Sequence, residues 1–218
     1  GVLNLGVEGI MLMGAFSGFY AVFETGNVWF GLLAAAVVGG LMGLVMAVVS
    51  VTFQAEQGIS GIGFYLFGLG MSTLLFQMTL GTVETVRGFP PVHIPVLSDI
   101  PIVGEIFFNH SILVYGAYLL VPIATFVLNK TNLGLKIRSV GENPEAADSL
   151  GVSVAGVRYV TVTMGGVLSA VGGASLSIAL YNVFQQNMTS GMGFIAVALV
   201  YFGGWRPVGV LLGALLFS

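Results

Sequence analysis

Charge is what this chain has least of: of 218 residues only 7% are Asp, Glu, Lys or Arg, where soluble domains carry about 25%. Too little polar surface remains to coat a soluble globule, because 56% of the residues are hydrophobic and mean hydropathy is +1.02. Cysteine is absent, which excludes disulfides and thiolate chemistry without identifying a compartment. Histidine is nearly absent. His93 and His110 lie outside the apolar runs without metal-ligand spacing, so they read as surface residues and no metal site is expected. With no Cys or His inside an apolar run, an intramembrane hydrolase is poorly supported. The sequence has no starting methionine and no basic segment leading to a cleavage site, and it stops within "VGVLLGALLFS". Both ends are therefore expected to be cuts.

What is present is long uncharged sequence. No charge falls between Glu24 and Glu56, between Glu56 and Glu84, across Ser111–Asn129, or between Arg158 and Arg206. A membrane helix needs about 20 mostly apolar residues. Spacing therefore predicts an all-α polytopic membrane bundle with six full spans, near 5–24, 28–50, 61–80, 111–129, 158–181 and 191–204. A truncated seventh begins at Val208. Small residues recur at helical spacing: Ala35, Gly39, Gly43 and Ala47 in the second span, and Gly165, Ser169, Gly173 and Ser177 in the fifth. Such stripes let helix backbones approach closely in lipid. "GVLNLGVEGIML" and "GMGFIAVALVYF" share a glycine start and a small-residue centre. Five spans separate their starts, so they are candidates for an inverted repeat with broken helices.

The basic residues give the orientation. Lys130, Lys136, Arg138 and Arg158 bracket one loop, Arg206 lies two spans later, and only Arg87 is opposite. Excess Lys/Arg marks the cytoplasmic side. Loop 130–157 is thus expected inside, with 51–60, while 81–110 and 182–190 face out. The 81–110 loop, carrying Pro90, Pro91, Pro95 and Pro101, suits an ordered extracytoplasmic lid better than a helix.

The inner loop "KTNLGLKIRSVGENPEAADSLGVSVAGVRY" contains a short, sharply capped helix. Asn143 is the N-cap, Pro144 the favoured first helical residue, and Glu145 sits where the helix dipole favours an anion. Gly151 is a C-terminal stop, and Ser153 caps the segment that enters the fifth span. Two readings stand: a helix that docks into a groove on another protein, and a plain connector between spans.

"GENPEAADSLGVSV" resembles the cytoplasmic loop of ATP-binding-cassette importer permeases of the branched-chain amino acid, ribose and nucleoside type. "GVLNLGVEGIMLMGAF" resembles their early membrane motif, and "GMGFIAVALVYFGGWRPVGVLLGALLF" their late one. The resemblance covers essentially the whole chain, 1–218 as one transmembrane permease domain, and is nearest to the nucleoside and simple-sugar subgroup. It implies a multi-pass subunit of a bacterial plasma membrane importer, paired with a second permease subunit, a cytoplasmic ATPase and an external solute-binding lipoprotein. It implies no nucleic acid, no covalent chemistry in this chain and no cofactor of its own, ATP being held by the partner. Carried over residue by residue, it assigns Gly141, Glu142, Asn143, Pro144, Ala146, Ala147 and Gly151 to the ATPase-coupling loop.

Glu8 stands apart. With Glu24 at the outer boundary, sixteen residues of helix place it about 24 Å deeper, in the inner third of the bilayer. An ionisable group there faces a cavity or a partner. It is read either as a pathway-lining group, with Asn4 beside it, or as a carboxylate bonded to a neighbouring helix end that holds the bundle together. An ion-gradient-driven secondary transporter, with Glu8 as proton or cation site, is the alternative to the importer.

Overall fold

A computed structural model describes residues 2–93 and 109–217. Of the lid expected over 81–110, residues 94–108 lie outside the described residues. Among the described residues five helices are long and apolar enough to cross a membrane. They are α1 (Val7–Thr25), α2 (Val28–Ala47, continued by a π-helical turn Val48–Thr52), α3 (Gln57–Thr79), α4 (Ile112–Lys130) and α7 (Val154–Ser175, continued by a π-helical turn Leu176–Leu180). Two short helices, α5 (Asn132–Glu142) and α6 (Pro144–Ser149), lie between α4 and α7. Two apolar 11-residue helices, α8 (Met192–Phe202) and α9 (Pro207–Phe217), close the described chain. A ribbon of β1 (Pro91–His93) and β2 (Asn109–Ser111) pairs antiparallel, Val92 opposite His110.

The all-α membrane architecture holds, but 191–204 is not a full sixth span. Eleven residues reach only about 16 Å, half the hydrocarbon core of about 30 Å. The chain then turns sharply, with Gly204 and Trp205 at φ +62° and +60°. Helix α9 returns along α4, and its Val208 shares a groove with Lys130. Arg206 therefore belongs to the same end of the bundle as Lys130, the basic end.

Helix α1 is the most buried span and packs on α2, α3, α7 and α8. Glycine permits this, because apolar lipid offers no drive to associate helices and close van der Waals fit must supply it. Ala35, Gly39, Gly43 and Ala47 are all buried on α2, as expected. On α7 the packed face is Gly166, Ala170, Gly173 and Ala174, one residue out of phase with half the expected stripe. A Cβ on Gly166 would stand 2.7 Å from the Gly43 Cα, whereas one on Gly165 would meet nothing. Buried Ser177 adds a hydrogen bond between helices, its hydroxyl donating to the Ala15 carbonyl at 2.8 Å.

Two stretches at membrane depth are not helical. Residues 2–6 start beside the head of α3, where the Leu3 N–H donates to Gln57 Oε1 at 2.7 Å, and end at α1. Residues 182–190, expected as an outer loop, instead run inward from the end of α7. They bury Phe184 against Phe16 and Phe76, ring centroids 5.4 Å away in each case. Non-helical backbone is tolerated at that depth only where protein covers it. Aromatic packing and the caps described next provide the cover.

Candidate functional site

The two inward-running stretches meet at Glu8. A Cβ on Gly68 would lie 2.5 Å from the Gly9 Cα, and Gly68 is the midpoint of α3, Gln57–Thr79. That helix of 23 residues is about 34 Å long at 1.5 Å per residue. Glu8 thus lies near mid-height, deeper than the inner third expected. The difference arises because α1 starts in the middle of the bundle and residues 2–6 reach it as open chain.

The Glu8 side chain is fully buried. Its Oε1 accepts the Gly191 N–H at 2.8 Å and the Thr189 hydroxyl at 2.5 Å, and its Oε2 accepts the Gly193 N–H at 2.5 Å. Gly191 and Gly193 open α8, so the carboxylate caps the N-terminus of that half-helix and satisfies donors that would otherwise be orphaned. A Cβ on Gly193 would sit 2.7 Å from Oε2, so glycine is what admits the carboxylate. Helix α1 runs from this point toward the end that holds Phe76 and Phe89, and α8 runs from it toward the basic end. The full-length helix α1 and the half-helix α8, of opposite direction and each preceded by open chain, meet head to head over one acid. Asn4 is half-buried, and its Oδ1 accepts the Gly6 N–H at 2.9 Å, fixing the turn into α1. Thr189, Gly191 and Gly193 were not singled out from sequence as Glu8 partners.

At the basic end the capped helix forms as expected. Asn143 Oδ1 accepts the Ala146 N–H at 3.0 Å. Gly151, at φ +81°, donates to Asp148 at 2.8 Å, and the Val152 N–H donates to Ala147 at 3.1 Å. That bond pair is the Schellman stop, which needs a left-handed residue. Ser153 Oγ then accepts the Gly156 N–H at 3.2 Å and starts α7. Gly141, Glu142, Asn143, Ala146 and Gly151 are exposed and Pro144 is half-buried. Ala147 is turned inward, 3% exposed, and Leu150 beside it is 84% exposed. Sequence reading missed α5, which Thr131 caps through its Oγ1 and the Gly134 N–H at 3.1 Å. Among the described residues no cluster of acidic or histidine side chains could hold a metal ion.

These features meet a known family. The model of the branched-chain amino acid transport system permease component matches residues 1–218. The ABC transporter permease TsgC13 of Haloferax volcanii, provisionally named for glucose, is 43% identical over 222 residues, covering 100% of this chain and 67% of that protein. The guanosine ABC transporter permease NupQ of Bacillus subtilis is 39% identical over 231 residues, 100% of this chain and 72% of its own. The nucleoside ABC transporter permease NupC of Lactococcus lactis is 37% identical over 227 residues, again 100% and 72%. No solved structure matches. The chain belongs to the branched-chain amino acid transport system permease family and is a multi-pass permease component of an ABC importer.

Proposed function

We propose that this chain forms part of the path for a nucleoside or simple sugar in an ATP-driven importer of the bacterial plasma membrane, its basic end facing the cytoplasm. An external binding lipoprotein delivers the solute, a second permease subunit completes the path, and ATP is hydrolysed on a separate cytoplasmic ATPase. The relatives named for guanosine, nucleosides and glucose support the solute class. Bacillus subtilis and Lactococcus lactis each hold two relatives, NupQ with NupP and NupC with NupB, which supports a non-identical second permease subunit.

The observation that carries the reading is the joint from α6 into α7. Coupling requires a rigid element that passes a domain movement into the spans, and a helix stopped by a Schellman motif and followed at once by the Ser153 cap is such an element. Gly141, Glu142, Asn143 and Ala146 supply the contact face, Pro144 and Gly151 set its ends, and Ala147 seats it on the bundle. Leu150, exposed at the tip, is an apolar knob for a groove on the ATPase. Glu8 and Asn4 serve the path by fixing its walls at mid-height. The ion-driven alternative is not favoured, because both Glu8 oxygens are committed to α8.

Replacing Leu150 by Asp tests this reading. The variant inserts normally, the ATPase no longer co-purifies, and uptake stops. Full co-purification with normal uptake would remove α6 from the contact.

A further inference from the structure

Away from Glu8, a cavity of about 480 Å³ separates the first half of α4 from the π-helical end of α7. Its walls include Phe89, Ser111, Ala117, Ser175, Leu176 and Asn182. We infer that this cavity binds the polyhydroxylated ring of a neutral solute, a sugar either free or as part of a nucleoside, on its way into the path. The inference rests on the importer reading for direction only.

Four observations converge. The volume lies within the range of about 300–1,000 Å³ typical of small-molecule sites. Among the described residues lining the cavity none is Asp, Glu, Lys or Arg, and His110 is the one titratable side chain, so a zwitterionic amino acid would leave its ammonium unpaired against them. A sugar would not, since hydroxyls need only neutral donors and acceptors, and Ser111, Ser175 and the Asn182 amide supply both. Phe89, itself buried, adds an aromatic surface for the apolar face of a ring.

The third observation is the state of Asn182. Its Oδ1 is buried without a hydrogen-bond partner, while its backbone at φ +57° is one that Asn adopts more readily than most residues. A buried acceptor left unpaired costs free energy, and such a group points to a partner supplied from outside the chain. A turn of the amide about the Cβ–Cγ bond exchanges its contact with Gly88 for one with a hydroxyl in the cavity. The fourth is the backbone. The π-helical turn Leu176–Leu180 forms one wall, and π-turns recur at functional sites because they widen a helix and release carbonyls. The Ile178 carbonyl accepts the Phe89 N–H at 2.9 Å, which holds Phe89 at the cavity. The cavity lies at the end opposite the basic one, the side on which a binding protein would release solute.

Because the chain has no cysteine, a single introduced thiol reports on one place. Ala117→Cys is exposed on α4 and lines the cavity, while Thr82→Cys is exposed at the same end outside it. The purified full complex is labelled with a maleimide while guanosine or glucose is titrated. At about ten times Kd the solute should slow Ala117→Cys labelling about tenfold and leave Thr82→Cys unchanged. Adding Asn182→Ala should raise the half-protecting concentration roughly 3- to 10-fold, the worth of one neutral hydrogen bond. Protection by both compounds identifies the sugar ring as the shared determinant, and protection by guanosine alone identifies the nucleoside. Unprotected labelling with both, or an Ala117→Cys thiol that never labels, overturns the inference. Protection that persists while uptake proves independent of ATP counts against the importer reading and not against the cavity.

Discussion

Glu8 Oε2 accepts the Gly193 backbone N–H at 2.5 Å, joining the first turn of α1 to the first turn of α8 near the middle of the bundle. Glu8→Gln keeps the shape but turns one acceptor into a donor that faces a backbone N–H. An unsatisfied buried polar group costs about 1–3 kcal/mol. The variant should lose that much stability, read as a lower melting temperature in detergent and lower membrane abundance, with near-normal uptake per remaining molecule. Unchanged stability with uptake abolished would instead make Glu8 a solute or ion site.

Two adjacent glycines of α7 should respond oppositely to the same change. Gly165→Ala adds a methyl into open space and gains helix propensity, up to about 1 kcal/mol. Gly166→Ala drives a Cβ against the Gly43 backbone, where no flexible side chain can yield, and should cost about 1–3 kcal/mol. Thermal unfolding of both proteins in the same detergent checks the pair. Equal shifts would mean that α2 and α7 do not cross at this point.

The joint from α6 into α7 depends on a left-handed residue, Gly151 at φ +81°. Gly151→Val should cost about 1–2 kcal/mol locally and loosen the Schellman stop while leaving the spans intact. The ATPase should still co-purify, but its activity should no longer respond to solute. Coupling that survives Gly151→Val would show that the stop is dispensable.

Acid should loosen the head of α3. The N–H groups of Ile59 and Gly58 donate to the Glu56 carboxylate and hold its pKa below the ordinary 4.5. Because the folded value is depressed, the cap contributes fully above the unfolded value of 4.5 and is lost as pH falls below it through the folded value. Amide exchange at Gly58 and Ile59 should accelerate over that window, and Glu56→Gln should remove the pH dependence. Exchange that stays flat in wild-type protein below the ordinary value would exclude the cap.

Local signals in the sequence proved readable where they are short-range. Asn143, Pro144, Gly151 and Ser153 encode their own caps within three or four residues, and the structure bears out each. The phase of α7 was ambiguous because Gly165 and Gly166 both satisfy a small-residue spacing, and only the position of α2 chooses between them. Helix α5 was hidden because its leucines alternate with Asn132, Gly134 and Lys136, which reads as a solvated connector. Hydropathy could not separate a full span from α8, since an apolar half-helix scores alike and only the turn at Gly203–Trp205 marks its end. The partners of Glu8 lie 181 to 185 residues away. Nothing local to Glu8 points to Thr189 or Gly193, so sequence alone left its two readings level.

The most direct test of the importer account is solute uptake into proteoliposomes holding the full complex, with labelled guanosine and glucose supplied alongside the binding protein. The account predicts uptake that requires ATP hydrolysis by the partner subunit and is indifferent to an uncoupler. Uptake that continues without ATP and collapses when the ion gradient is dissipated would contradict it.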